Sequence, residues 1–290
     1  MRGWSQLRWC LAHYSYDLAV PLITIEDEDD ERLADYRNIP DPELVGRRGL
    51  FVAEGRLVVR RLLEESRLTP RSVMVTDAAL ESIAGALAAR PELAVYRVTQ
   101  TVMDGVTGFN IHRGCLAMGE RPADAPWTAV AARARTILVL ERIANADNVG
   151  GIFRNAIAFG VDAVLRGPAC ADPLYRKAIR TSMGAALLVP FANAEPWPDA
   201  LRQLRSLGFA VVALTPSADA PLLHEVAAQC ADRRIAIVLG HEGEGLTAEA
   251  LEACERRARI PMRLGRTAAF DSLNVASAAA IALYELRRNQ

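Results

Sequence analysis

The chain has 290 residues and a mass of 31.5 kDa, which fits one large domain or two. With 51% hydrophobic and 24% charged residues it can bury a core, which excludes a disordered chain. The formal net charge of -1 argues against a protein coated in bound polyanion, but residues 1–45 hold 10 acids and 4 bases and the remainder 25 acids and 30 bases.

In chain order, residues 1–20 carry Arg2 and Arg8 and then His13, Tyr14 and Asp17, a poor signal-peptide core. The acidic run Glu26 to Glu31 reads as a solvated segment, and residues 1–45 as an acidic N-terminal extension. From Gly49 the pattern becomes regular. Leu50–Ala53 reads as a strand, 55–66 as a helix, Ser72–Thr76 as a strand, Ala78–Ala89 as a helix, and Ala94–Val98 and Gly114–Met118 as strands. Together these make a small α/β unit over 46–120. Residues 121–135, with two prolines and little pattern, read as a linker.

From Thr136 onwards apolar strands and helices alternate. Strands are expected at Thr136–Leu140, Ala163–Leu165, Leu187–Phe191, Phe209–Leu214 and Ile235–Leu239. Helices are expected at Asn148–Phe159, Pro173–Ser182, Trp197–Leu207, Thr247–Arg257 and Leu273–Arg288. Continuous apolar strands separated by helices mean a mainly parallel sheet covered on both faces, in a domain running from 136 to 290. Ligands of such sheets bind at the carboxyl ends of the strands, so the loops after Leu140, Leu214 and Leu239 are where chemistry is sought.

Five scattered cysteines without CxxC and four unclustered histidines give no disulfide framework and no metal site, and a reducing cytoplasm is the simple reading. No apolar run approaches the roughly 20 residues needed to span a bilayer. Arginine supplies 33 of 34 basic residues, with Lys177 the single lysine. A GC-rich genome explains that bias, and so does a need for bidentate phosphate contacts.

Three segments can carry chemistry. ERIANADNVGGIFRNAIAFG (141–160) opens a helix at Asn148, a good N-cap, with Gly150 and Gly151 giving close backbone access and Arg154 at the flank of the apolar stripe. IAIVLGHEGEGL (235–246) runs a strand into a glycine-rich loop bearing Glu242 and Glu244. It lacks GxGxxG, and the chain has no GxxxxGK[ST], which disfavours a dinucleotide or Walker-type site. IPM (260–262) is followed by a polar loop and SLNVASAAAIALYEL, where Ser272 or Asn274 caps the last helix. Capping and turn formation explain each segment taken singly.

Taken in order, NxGxxxRxAxxFG, LGxExxGL and IPM…SLNVxxAxAIxLYE resemble the SpoU branch of the SPOUT RNA 2'-O-methyltransferases, from Thr136 to the C-terminus. GLFVAEGRLVVRRLL and HRGCLAM also look like the RNA substrate-binding domain that precedes the catalytic domain in many members. The resemblance implies a parallel sheet with a C-terminal trefoil knot, S-adenosylmethionine as cofactor, rRNA or tRNA as substrate and a homodimer built on the last helix. It places the cofactor on Gly240, Ile260 and Leu273, with Leu239, Met262 and Thr215 beside them. It gives Arg154 the central catalytic role, with Asn148, Glu242, Ser272 and Asn274 around the reacting corner. The loop 263–271, with Arg263 and Arg266, is longer than is common there. Arg56, Arg60, Arg67, Arg71, Arg176, Lys177 and Arg180 are candidate phosphate contacts. A non-catalytic RNA binder on the same scaffold is the alternative.

Overall fold

The computed structural model describes residues 20–108, 111, 114–262 and 273–288. Its first layer is a five-stranded sheet of β1 (Leu22–Ile25), β2 (Leu50–Glu54), β3 (Pro70–Val75), β4 (Ala94–Val98) and β5 (Cys115–Glu120), in the order β1-β4-β3-β5-β2. β5 runs antiparallel to β2 and β3, and the other pairs are parallel. Strand alternation sorts the side chains. Phe51, Ala53, Val73, Val75 and Ala117 face helices α2 (Arg56–Glu64) and α3 (Asp77–Ala88). Val52, Met74, Leu116 and Met118 face the other way, onto α1 (Asp41–Gly46), α4 (Gln100–Thr107) and the turn at Glu31–Tyr36.

Two boundaries differ from the sequence reading. Residues 20–45 are part of this layer. β1 pairs with β4, and Leu33, Tyr36 and Leu44 are fully buried, with the Tyr36 hydroxyl 2.8 Å from Ser72 Oγ. The acids dominate the composition there, while a few well-spaced apolar residues provide the anchoring. The stretch expected as a linker contains α5 (Trp127–Ala132), whose Trp127 and Ala131 are buried against the second sheet; Trp127 Nε1 donates to Glu195 O at 2.9 Å.

The second sheet comprises β6 (Thr136–Leu140), β7 (Ala163–Arg166), β8 (Phe191–Asn193), β9 (Phe209–Leu214), β10 (Arg234–Leu239) and β11 (Arg256–Ala258), all parallel, in the order β11-β9-β10-β6-β7-β8. Leu138 and Leu140 pack towards α6 (Ala146–Ala158), α7 (Arg176–Thr181), α9 (Leu223–Gln229) and α11 (Val275–Arg288). Ile137 and Val139 pack towards α5, α8 (Asp199–Ser206) and α10 (Ala248–Ala253). The expected strand Leu187–Phe191 is instead a helical turn at Ala185–Leu187 followed by β8. The expected helix Thr247–Arg257 stops at Ala253, because Arg256–Ala258 pairs with β9. The knot expectation turns on the path through 263–272, outside the described residues.

The two layers are joined by polar contacts. Ser66 Oγ donates to Leu187 O at 2.7 Å, and Arg176 N donates to Asp41 at 3.0 Å. Asp172 accepts from Arg121 at 2.6 Å and from Arg166 at 3.0 Å.

Candidate active site

From β6 the chain works outwards to β8, then crosses to β9 and returns through β10 to β6's other edge. The carboxyl ends of β6, β9 and β10 therefore meet at a reversal of strand order, where α/β sheets open a crevice. A cleft of about 390 Å³ lies there. Its walls are Leu214 to Ser217 after β9, Leu239 to Leu246 after β10, and Ile260, Met262 and Leu273. The six expected cofactor contacts, Gly240, Ile260, Leu273, Leu239, Met262 and Thr215, thus come from three segments into one cleft.

The loop after β10 is tightly folded. Gly245 N donates to His241 O at 2.9 Å, and His241 Nδ1 accepts from Gly243 N at 3.1 Å and Glu244 N at 3.2 Å. Gly245 has φ +72°, a left-handed conformation that favours glycine. A Cβ on Gly240 would lie 2.5 Å from Gly245 C and 2.6 Å from Leu246 N, so a glycine is required by close backbone approach.

The N-cap of helix α6 lies three residues earlier than expected. Asn145 is the N-cap, its side chain accepting from Asp147 N at 2.9 Å. This leaves Asn148 free to act across the cleft rim. Its Nδ2 donates to Glu242 Oε1, and its Oδ1 accepts from Asn274 Nδ2 at 2.8 Å. A carboxylate only accepts, so Asn148 must turn its amide nitrogen to Glu242 and its oxygen to Asn274. Asn274 in turn caps α11, its Oδ1 accepting from Ala276 N at 3.0 Å and Ser277 N at 3.2 Å. One polar chain, Glu242–Asn148–Asn274, therefore links the glycine loop, α6 and α11.

Helices α6 and α11 approach closely at Gly151, where a Cβ would meet Ala276 Cβ at 2.9 Å, and Asn155 Nδ2 donates to Ala276 O at 2.7 Å. Arg154 lies about 60° round from Gly151, flanking that face. Its side chain is exposed and has no hydrogen bond or ion pair among the described residues. Ser272 and the loop 263–271 with Arg263 and Arg266 lie outside the described residues.

Two features escaped the sequence reading. Glu141, the first residue after β6, is fully buried and accepts from Trp197 Nε1 at 2.8 Å, Thr247 N at 2.9 Å and Thr247 Oγ1 at 2.8 Å. The signal was an acid directly after the apolar strand TILVL. Arg142 has φ +60° and pairs with Glu244 at the loop. Lys177, expected among phosphate contacts, pairs with Asp147 at 2.7 Å, which holds the Asp147 carboxyl below its ordinary value. Arg60 pairs with Glu64, and Arg71 with Asp35.

Residues 135–284 match the SpoU rRNA methylase family. An uncharacterised tRNA/rRNA methyltransferase of Mycobacterium bovis is 46% identical over 91% of both chains. The 23S rRNA (guanosine(2553)-2'-O)-methyltransferase of Bacillus subtilis is 24% identical over 91% of this chain and 98% of its own. The structure of the AdoMet-bound rRNA methyltransferase of Sinorhizobium meliloti superposes with a TM-score of 0.78 at 25% identity, covering 92% of this chain and 98% of that one. With the family match spanning half the chain and a relative of this identity covering nearly all of it, the protein belongs to the SpoU rRNA methylase family.

Proposed function

We propose that the protein transfers a methyl group from S-adenosylmethionine to a ribose 2'-hydroxyl of RNA, ribosomal RNA in preference to tRNA. The observation that carries this reading is the convergence of Leu239, Gly240, Thr215, Ile260, Met262 and Leu273 on one cleft whose rim bears the Glu242–Asn148–Asn274 chain. Apolar side chains and exposed loop backbone fit a cofactor with a flat heterocycle and a polar tail. The bound cofactor supplies an electrophilic methyl.

The chain's own residues do the rest. Gly240 admits the cofactor against the backbone, and Leu239, Ile260 and Met262 exclude water from it. The Arg154 guanidinium offers donors and no acceptor, so its task is to hold the RNA phosphate and stabilise charge developing on the hydroxyl oxygen. It is available for that task, being exposed and unpaired among the described residues. Asn148 and Glu242 keep the loop and α6 in register around the target ribose, and Asn274, with Ser272, shapes the reacting corner.

The active species is a homodimer. Ile157 on α6 and Ile281 and Tyr284 on α11 are exposed apolar side chains on neighbouring helices, and they support this. Ala279 and Ala282 on α11 are buried within the protomer. The fold division follows the two sheets, with residues 46–120 inside an RNA-binding layer that also takes in 20–45. Thiol forms of Cys115, Cys170, Cys230 and Cys254 suit a reducing cytoplasm. Among the described residues no helix is long and apolar enough to cross a membrane.

The test is methylation of total RNA from a strain lacking the gene, using labelled S-adenosylmethionine. Wild-type protein labels a ribose 2'-oxygen. Arg154→Ala binds the cofactor as wild type but gives no label above background. A wild-type transfer rate in that variant overturns the assignment.

A further inference from the structure

Glu141 has no role in the chemistry above, yet it is a fully buried carboxylate with three donors aimed at it. Its position explains why. The loop 240–246 begins after Leu239 and ends before Thr247. Glu141 holds both ends: its backbone N–H donates to Leu239 O at 2.9 Å, and its carboxylate accepts the backbone N–H and hydroxyl of Thr247. Thr247 is also the N-cap of α10, its Oγ1 accepting from Ala250 N at 3.2 Å. Trp197 Nε1 supplies the third donor, to the same Oε1 that the Thr247 hydroxyl reaches, and its ring lies against Gly167 after β7. A single side chain thus ties the loop's closing residue to β6 and to the β7 side of the sheet.

We propose that Glu141 is a positioning residue for the cofactor: it clamps the 240–246 loop in its binding shape before the cofactor arrives. The proposal rests on the reading of this cleft as the S-adenosylmethionine site. Chemistry favours a carboxylate over an amide here. All three partners are donors, and the two carboxylate oxygens accept from each of them, whereas Gln would turn an NH2 towards at least one. A buried donor left unmatched costs more than the hydrogen bond it loses. Aspartate is one methylene shorter and cannot reach both Thr247 groups from the same backbone.

The test uses the full-length chain and two readouts. The first is hydrogen exchange without cofactor. Glu141→Gln exchanges the loop amides 241–247 at least about tenfold faster, while amides in β6 and β10 keep their protection. The second is calorimetry. Glu141→Gln and Thr247→Val weaken S-adenosylmethionine by about tenfold or more, and S-adenosylhomocysteine by a similar factor. Thr247→Ser, which keeps the hydroxyl, restores both. Equal loss for the charged cofactor and its neutral product marks positioning; a loss confined to the sulfonium form makes Glu141 an electrostatic partner and overturns the clamp. Wild-type exchange and affinity in both Glu141→Gln and Thr247→Val also overturn it. If the wild-type chain itself gives no heat with S-adenosylmethionine, the reading of the cleft fails and not the clamp, which the exchange experiment then decides alone.

Discussion

Replacing Gly240 by alanine puts the packing of the cleft to a direct test. The new methyl would sit 2.5 Å from Gly245 C, 2.6 Å from Leu246 N and 2.7 Å from Gly245 O. Ordinary carbon contacts lie at about 3.5–4.0 Å, so the backbone at 245–246 has to withdraw by about 1 Å. It cannot do so freely, because Gly245 N is bonded to His241 O and the next residue but one, Thr247, is bonded to Glu141. A misplacement of about 1 Å in a positioned site costs on the order of a hundredfold, or about 2.7 kcal/mol. We predict that Gly240→Ala raises the dissociation constant for S-adenosylmethionine by about a hundredfold in calorimetry. The strain is confined to a surface loop, so the melting temperature should fall by no more than about 4 °C. A variant that binds the cofactor within about threefold of wild type would refute the idea that backbone contact at Gly240 shapes the cleft.

Two further predictions concern α6. Gly150→Ala should gain about 1 kcal/mol of helix propensity, yet destabilise the protein by about 1–3 kcal/mol in denaturant titration. The Cβ would lie 2.6 Å from Ala178 O and 2.9 Å from Thr181 Cβ, both on α7; a stabilised variant would show that α7 yields easily. The Asp147 carboxyl is held below its ordinary value, chiefly by its hydrogen bond from Lys177 and also by one from Thr181. A depressed folded value means that its contribution is present above the unfolded value of about 3.9 and is lost as pH falls through the folded one. The melting-temperature gap between wild type and Asp147→Asn should therefore be constant above about pH 5 and close on further acidification. A gap unchanged down to pH 3 would remove the ionic contribution.

Strands β6 and β9 were legible to the residue, because apolar runs of five or six between turn signals have one reading in a sheet covered on both faces, and β4, AVYRV, was legible through its β-branched and aromatic residues although Arg97 interrupts it. The cleft was legible through motif order: Asn148, the loop with Gly240 and Glu242, and Asn274 stand far apart in sequence, and periodicity alone explains each as a turn or cap residue. Other features depended on tertiary partners. Leu22–Ile25 is a strand because β4 offers it an edge, and Arg256–Ala258 is one because β9 does, although both lie in charged sequence. Asn148 looked like a cap because Asn145, three residues earlier, competes for the same task with the same chemistry. Glu141 could not be read as buried, since an acid after a strand is ordinarily solvated, and only Trp197 and Thr247, 56 and 106 residues away, make its burial tolerable.

Among the described residues, strand β1 is one edge of the first sheet, and it is short and mainly apolar, LITI. Exposed edges of that kind invite fibril growth by stacking of identical segments about 4.8 Å apart. The residues directly after it are Glu26, Asp27, Glu28, Asp29, Asp30 and Glu31. In-register stacking of a second copy would pile like charges on like charges at each layer, since Arg32 and Arg37 pair with only Asp30 and Asp29 of the six acids. The acidic run thus guards this edge against self-association, at the far side of the sheet from β2, where α7 of the second layer docks.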